Sequence, residues 1–522
     1  MYPAHRILSR AVENFPDRIA FVDGDSRLTY RELGRRVNQL ANGLRGLGLN
    51  KGDRVAILDW NSHHYAEAYY ACALMGLTFM PLNSRLAAPE LEHIFNDSDA
   101  RALLLSEPFL ALYNDIKAKA PSLEIFIGID LSSNHDNIHD YEDLLSKSSD
   151  TVEAANAGID DIIQIYYTSG TTGDPKGVCL TNANIYCCGL DCLATMDFRL
   201  GSVWLHSAPM FHLADAVAFW AVPMVGGTQV SVHFDPDKVL QMIEKERVTI
   251  TSLPATLIAL IANHSDLSKY DLSSLTQIMY GGSPTPLGVL QKAEKIFPSN
   301  MLLHTYGITE TAGLACCLQP QDHDLTVDED GFFRAASCGP PTSLVDVRVV
   351  AANDADIPAG EIGEVVFSGP KIMKEYWRKP EMTAEVLRGG WYHTGDMGFL
   401  DKTGHLYLVD RKKDMIISGA ENIYSVEVEN VISTHPAVKE VAVIGIPHDI
   451  WGEQVHAVVV KRAEASELSG DDVIEFCRDK IGGFKIPKSV SFAEGPLPTT
   501  GPGKIAKRIL RDPYWKDLNR QI

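Results

Sequence analysis

The stretch Ile162–Val178, IIQIYYTSGTTGDPKGV, decides how the chain is read. It opens on β-branched and aromatic residues, Ile162-Ile163-Gln164-Ile165-Tyr166-Tyr167, which predict a buried strand. The strand runs into a loop of small and hydroxylated residues, Thr168, Ser169, Gly170, Thr171, Thr172 and Gly173, with Lys176 and Gly177 close behind. A loop with so few Cβ atoms brings backbone N–H groups close to an anion. The hydroxyls add donors, and Lys176 adds a mobile positive charge. The chemistry implied is polyphosphate binding. The common P-loop is excluded, because it needs Gly directly before the lysine and Ser or Thr directly after it. Here Pro175 precedes Lys176 and Gly177 follows it.

Further along, Tyr280-Gly281-Gly282-Ser283-Pro284 and Thr305-Tyr306-Gly307-Ile308-Thr309-Glu310 each read as a strand end breaking into a tight turn. Glycines beside an aromatic suit a flat base held between backbone and ring. Glu310 is a hard oxygen ligand suited to a phosphate-bridging Mg²⁺. In Gly390-Trp391-Tyr392-His393-Thr394-Gly395-Asp396, an acidic residue after a tight turn can accept hydrogen bonds from both hydroxyls of a ribose.

Residues 168–177, TSGTTGDPKG, resemble the signature of the adenylate-forming superfamily, which includes acyl-CoA synthetases, peptide-synthetase adenylation domains and beetle luciferases. The resemblance covers nearly the whole chain, and the order of the motifs is more specific than any one of them. It implies a large, multi-subdomain N-terminal α/β domain over residues 1–410 and a small, mobile α+β lid over residues 411–522. It also implies adenine near Ser283 and Tyr306, α-phosphate contacts from Thr309, metal at Glu310, and ribose at Asp396 with Arg411 as its partner. Within VDRKKDMIISGAENIYSVEVE (409–429), Lys413 matches the family's hinge. In TTGPGKI (499–505), Lys504 matches the catalytic lysine of the first half-reaction. In Pro209-Met210-Phe211-His212, the resemblance implies an aromatic–His pair bordering a carboxylate pocket, with His212 catalytic. Small residues at Ala214, Ala216 and Ala218 would leave room for a bulky or extended acyl group. Asp215 reads as a hydrogen-bonded structural carboxylate, the alternative being a selector for a substrate with a positive or donor group. Gly419 and Ala420 lie close to the expected pantetheine path, with Ala420 where a second Gly is usual; Ser425 stands where Pro is frequent. Trp451 reads equally as a core residue and as a platform for pantetheine, and Phe484–Lys488 as a contact for CoA phosphates.

Composition bounds the rest. The chain has 522 residues, 45% of them hydrophobic, enough for several domains. A formal net charge of -21 argues against a broad nucleic-acid-binding surface. From Arg411 onward, 16 Lys+Arg balance 16 Asp+Glu, so the acid excess lies wholly before that point and suggests two bodies with different surfaces. Nine cysteines without a CxxC pair give no disulfide framework and no zinc site; small buried hydrophobes in a reducing compartment are the expectation. Arg6, Arg10, Glu13 and Asp17 interrupt the N-terminus where a signal peptide needs an apolar core. The most hydrophobic region, Ala216 to Gly227, is too short to span a bilayer. The expectation is a cytoplasmic protein without an integral membrane segment.

Local pattern places a helix from Thr29, with Thr29 and Glu32 as its capping box and Leu33, Val37, Leu40, Leu44 and Leu47 on its apolar face. Arg54–Leu58 reads as the next strand, and alternation to about Ser106 argues for parallel α/β structure. The resemblance therefore implies an AMP-forming acyl-CoA synthetase using ATP, Mg²⁺ and CoA on a medium-chain aliphatic or aryl acid, with room for a homodimer. Two alternatives stay open: a luciferase-like oxygenase and a stand-alone ligase that loads a carrier protein.

Overall fold

The structure is a computed structural model that describes residues 2–133, 135–168, 175–233, 235–253, 255–262, 264, 266–282, 290–291, 293–297, 299–324, 334–418, 421–448, 451–463, 465, 467–478, 480–499 and 505–516. Two eight-stranded sheets form its centre. One runs, in spatial order, Gly313–Leu318, Leu302–Ile308, Gln277–Gly281, Ile250–Ser252, Val203–His206, Thr228–Ser231, Ile19–Asp23 and Ser26–Thr29. The other runs Glu375–Tyr376, Lys176–Thr181, Ile162–Thr168, Thr78–Pro81, Arg54–Leu58, Ala102–Ser106, Ile125–Ile129 and His139–Asp140. Interior pairs in both are parallel, and antiparallel pairs are confined to the ends.

Strand alternation explains how the layers stack. Val55 and Ile57 face a core shared by both sheets, whereas Ala56 and Leu58 face a second core on the outer side. The shared core holds helix His63–Met75, in which every residue from His64 to Met75 is buried, with the buried Glu67 paired to Arg36 at 2.6 Å. Helix Pro236–Glu246 covers the outer face of the first sheet through Val239, Leu240 and Ile243. Helices Ala88–Ser98 and Leu110–Lys119 cover that of the second. The capping box at Thr29 and Glu32 starts helix Tyr30–Gly46, and Arg54–Leu58 is a strand.

A third, antiparallel sheet combines Asp346–Val350, Gly363–Ser368, Trp391–Leu400, Leu387–Arg388 and Leu406–Arg411. Asp396 does not follow a tight turn, contrary to the sequence reading. It lies inside the ten-residue strand Trp391–Leu400, where Gly395 at φ +70° lets the strand bulge. The C-terminal sheet is built on the hairpin of Val438–His448 and Gly452–Lys461, with Ile416–Ser418, Glu421–Ile423 and Ser489–Phe492 beside it. All nine cysteines are buried. Among the described residues, no helix is long and apolar enough to cross a membrane.

Candidate active site

The antiparallel pair Ile162–Thr168 and Lys176–Thr181 sets Lys176 opposite Thr168 at the mouth of the loop between them. The short strand Glu375–Tyr376 adds to the outer edge and sets Tyr376 beside Val178. Lys176 Nζ donates to the Tyr376 hydroxyl at 2.6 Å, and that hydroxyl donates to Glu310 Oε1 at 2.7 Å. Lys176 Nζ also lies 3.2 Å from Glu310 Oε1 and 3.9 Å from the centre of the Tyr376 ring. Burial and the neighbouring Glu310 carboxylate push the Tyr376 hydroxyl well above its ordinary range, so it stays a donor. Thr168 Oγ1 is buried with no hydrogen-bond partner among the described residues, leaving a polar atom at the loop's start for another acceptor or donor.

Glu310 sits in a short turn after strand Leu302–Ile308 and is buried. The backbone leading to it is crowded: a Cβ on Gly307 would lie 1.8 Å from the Gly313 carbonyl oxygen. Only glycine permits that approach of the two strands. On the same strand, the Tyr306 hydroxyl donates to Asp396 Oδ2 at 2.6 Å. Arg411 faces Asp396 across the third sheet, and Arg411 Nε reaches Asp396 Oδ1 at 3.0 Å. Asp396 raises the Arg411 guanidinium further, while burial and Asp396 push the Tyr306 hydroxyl up. After burial, Glu310 raises the Tyr392 hydroxyl, and it is the smallest of the contributions at Arg411. The result is a lysine and a carboxylate at the Glu310 end of segment Tyr306–Glu310, and a carboxylate–guanidinium pair at its Tyr306 end. That arrangement can take a polyphosphate and a diol-bearing ring together.

The sequence model of the family described as "AMP-binding enzyme" matches residues 8–377, and that of "AMP-binding enzyme C-terminal domain" matches residues 427–504. The chain belongs to the AMP-binding, adenylate-forming enzymes. It is 40% identical over 505 residues to a feruloyl-CoA synthase of Amycolatopsis sp, covering 95% of this chain and 96% of that one. It is 36% identical over 496 residues to a long-chain-fatty-acid–CoA ligase of Mycobacterium tuberculosis, covering 94% of each. The crystal structure of the anthranilate CoA ligase AuaEII in complex with anthranoyl-AMP superposes with a TM-score of 0.87 at 26% identity, covering 98% of this chain and 97% of that one.

Not every residue singled out in this AMP-binding enzyme joins the cluster. Ser169, Gly170, Thr171, Thr172, Gly173, Ser283, Gly419, Ala420 and Lys504 lie outside the described residues. Thr309 lies in the same turn as Glu310 and is half-buried. His212 caps the helical turn Leu213–Ala216, its Nδ1 accepting from Ala214 N–H at 3.2 Å. Because that segment is helical, Ala214, Ala216 and Ala218 do not share one face as an extended segment would make them. Asp215 is fully buried and paired with His206 Nδ1 at 2.5 Å, the arrangement a structural carboxylate would have. Burial raises its pKa, and His206 opposes that. Lys413 lies in the turn after strand Leu406–Arg411; burial lowers its pKa, and its carbonyl accepts from Arg511 Nη1 at 2.9 Å. Trp451 is 44% exposed and stacks on His448 with ring centres 4.5 Å apart, so it is not a core residue.

Sequence reasoning missed Tyr376. Its partners lie 66 and 200 residues away, so no local pattern marks it. It also passed over Asp410, whose Oδ2 accepts from both the N–H and the hydroxyl of Ser425, the latter at 2.7 Å. Pro at position 425 could supply neither donor.

Proposed function

We propose that this chain is an AMP-forming carboxylic acid–CoA ligase acting on an aryl or medium-chain aliphatic acid. A carboxylate is a poor acceptor for a thiol, because its charge repels the nucleophile and oxide leaves badly. Joining it to AMP supplies a good leaving group. The observation that carries this reading is the Lys176–Tyr376–Glu310 cluster set directly against Tyr306 and the Asp396–Arg411 pair.

In the first half-reaction the substrate carboxylate attacks the α-phosphorus of ATP and expels pyrophosphate. Lys176, Thr168 and the hydroxyls and N–H groups of residues 169–173 hold the phosphates, and Lys504 offsets the charge that builds on the α-phosphate. Thr309 contacts that phosphate, Ser283 and Tyr306 take the adenine, and Asp396 with Arg411 takes the ribose. His212 borders the acid. Glu310 fits Mg²⁺ as one hard carboxylate, and no cluster of three ligands occurs among the described residues. Glu310 would hold such an ion, and the ion would supply neutralisation of the phosphate charge. In the second half-reaction residues 411–522 pivot at Lys413, withdraw Lys504 and open a path for the CoA thiol past Gly419, Ala420 and the exposed ring of Trp451.

Relatives named for feruloyl and anthranilate substrates support an aryl acid, and the one named for long-chain fatty acids supports an aliphatic one. The test is a screen of carboxylic acids with ATP and Mg²⁺, reading pyrophosphate release and then acyl thioester. Acid-dependent pyrophosphate release with CoA-dependent thioester supports the proposal. Light emission or oxygen uptake without thioester, or acylation of a carrier protein but not CoA, contradicts it.

A further inference from the structure

The turn Asp59–Ser62 follows strand Arg54–Leu58, on the sheet opposite the one that carries Phe211 and His212. Asp59 stiffens it, accepting from Trp60 N–H at 2.8 Å and from the Ser62 hydroxyl at 2.6 Å, while the Tyr65 hydroxyl donates to the Asp59 carbonyl at 3.2 Å. The rigid turn presents Asn61. Its Nδ2 donates to the carbonyls of His206 at 3.0 Å and Ala208 at 2.8 Å, and its Oδ1 accepts from Met210 N–H at 2.9 Å. All three bonds go to the backbone that joins strand Val203–His206 to Phe211 and His212. From the other side, the Ser207 hydroxyl bonds to the Ser252 carbonyl at 2.7 Å and to Thr251 Oγ1 at 3.1 Å. The segment is therefore gripped between the two sheets. A primary amide offers donors and an acceptor from one planar group, which neither a carboxylate nor an aliphatic side chain of this size can do.

We propose that Asn61 is a positioning residue for the first half-reaction: it clamps the backbone of residues 206–210, and through it sets Phe211 and His212 at the acid. This rests on the proposal that Phe211 and His212 border the substrate carboxylate. Asn61 touches no reacting atom; it acts through the loop. A loop released from three backbone bonds no longer holds Phe211 and His212 against the acid, and binding lost in this way appears as a raised KM for that substrate.

The experiment compares wild type, Asn61→Ala and Asn61→Asp in acid-dependent pyrophosphate release, with acid and MgATP varied separately and thermal unfolding measured alongside. Asn61→Ala removes all three bonds. Asn61→Asp keeps the shape and the acceptor for Met210 N–H, but turns a carboxylate towards two carbonyl oxygens. The clamp predicts that KM for the acid rises about tenfold or more in both variants, with Asp at least as severe as Ala. KM for MgATP stays within about twofold. A role confined to packing predicts that Asp, as the isostere, is the milder variant. The proposal is overturned by an unchanged acid KM, by acid and MgATP KM rising together, by Asp behaving like wild type, or by both variants failing to fold. If wild type itself releases no pyrophosphate with any acid, the ligase reading fails. If wild type is active and the variants keep its acid KM, only the clamp fails.

Discussion

Tyr376→Phe removes one oxygen atom and isolates the cluster's central link. The hydroxyl accepts from Lys176 Nζ at 2.6 Å and donates to Glu310 Oε1 at 2.7 Å, so its loss unties both groups while leaving the ring beneath the ammonium. Each bond involves an ionised partner in a buried setting, and such bonds are worth about 1.5–3 kcal/mol. The direct Lys176–Glu310 contact at 3.2 Å survives and compensates in part. A net loss equal to one of these bonds corresponds to about ten- to a hundredfold in kcat/KM for MgATP. The assay is initial-rate pyrophosphate release at saturating acid with MgATP varied. Tyr376→Ala, which also strips the ring, loses a further cation–π contact worth about 0.5–2 kcal/mol and falls lower still. A kcat/KM for MgATP within about twofold of wild type in Tyr376→Phe refutes the argument that the hydroxyl orders the phosphate lysine.

Gly307→Ala places a Cβ 1.8 Å from the Gly313 carbonyl oxygen and forces the two strands apart, so denaturant unfolding should show a loss of about 3 kcal/mol or more; a loss below about 1 kcal/mol contradicts the packing argument. His63 Nδ1 lies 2.8 Å from Asp23 Oδ2; burial opposes both charges, yet their pairing prevails, raising His63 above its ordinary 6.5 and lowering Asp23 to about 2. The His63 contribution is thus fully present below pH 6.5 and fades as pH rises through the raised value, while that of Asp23 is lost as pH falls from its ordinary 3.8 towards about 2. Accordingly, the Tm difference between wild type and His63→Gln should be largest at pH 5–6 and shrink towards pH 8; a pH-independent difference contradicts the pairing. Lys504→Ala should nearly abolish pyrophosphate release yet still turn supplied acyl-adenylate and CoA into thioester; equal loss in both steps rules out its assigned role.

What the sequence revealed was local or short-range. The capping box at Thr29 and Glu32, the strand Arg54–Leu58 and the strand Ile162–Thr168 each rest on periodicity and residue type within a few positions. The five-layer arrangement was not legible, because alternation in Val55–Leu58 shows that both faces are buried but not what covers each. Asp396 shows how a bulge disguises itself: Thr-Gly-Asp looks like a turn, yet a glycine at φ +70° bends a continuing strand. Sequence left an alternative open at Asp215 and Trp451 for a single reason. Asp215 is buried against His206 whereas Trp451 lies exposed on His448, and local pattern does not tell a covered face from an open one. The links at Tyr376 and Asn61 bind residues 66 to 200 positions apart, a range at which one sequence carries no pairing signal.

The central claim is that this site joins a carboxylate to AMP before any thiol takes part. Exchange of labelled pyrophosphate into ATP, measured with Mg²⁺ and a panel of acids in the absence of CoA, addresses it most directly. The account predicts exchange that depends on the acid and needs no CoA. Absence of exchange with every acid, or exchange that appears only once CoA is added, would contradict it.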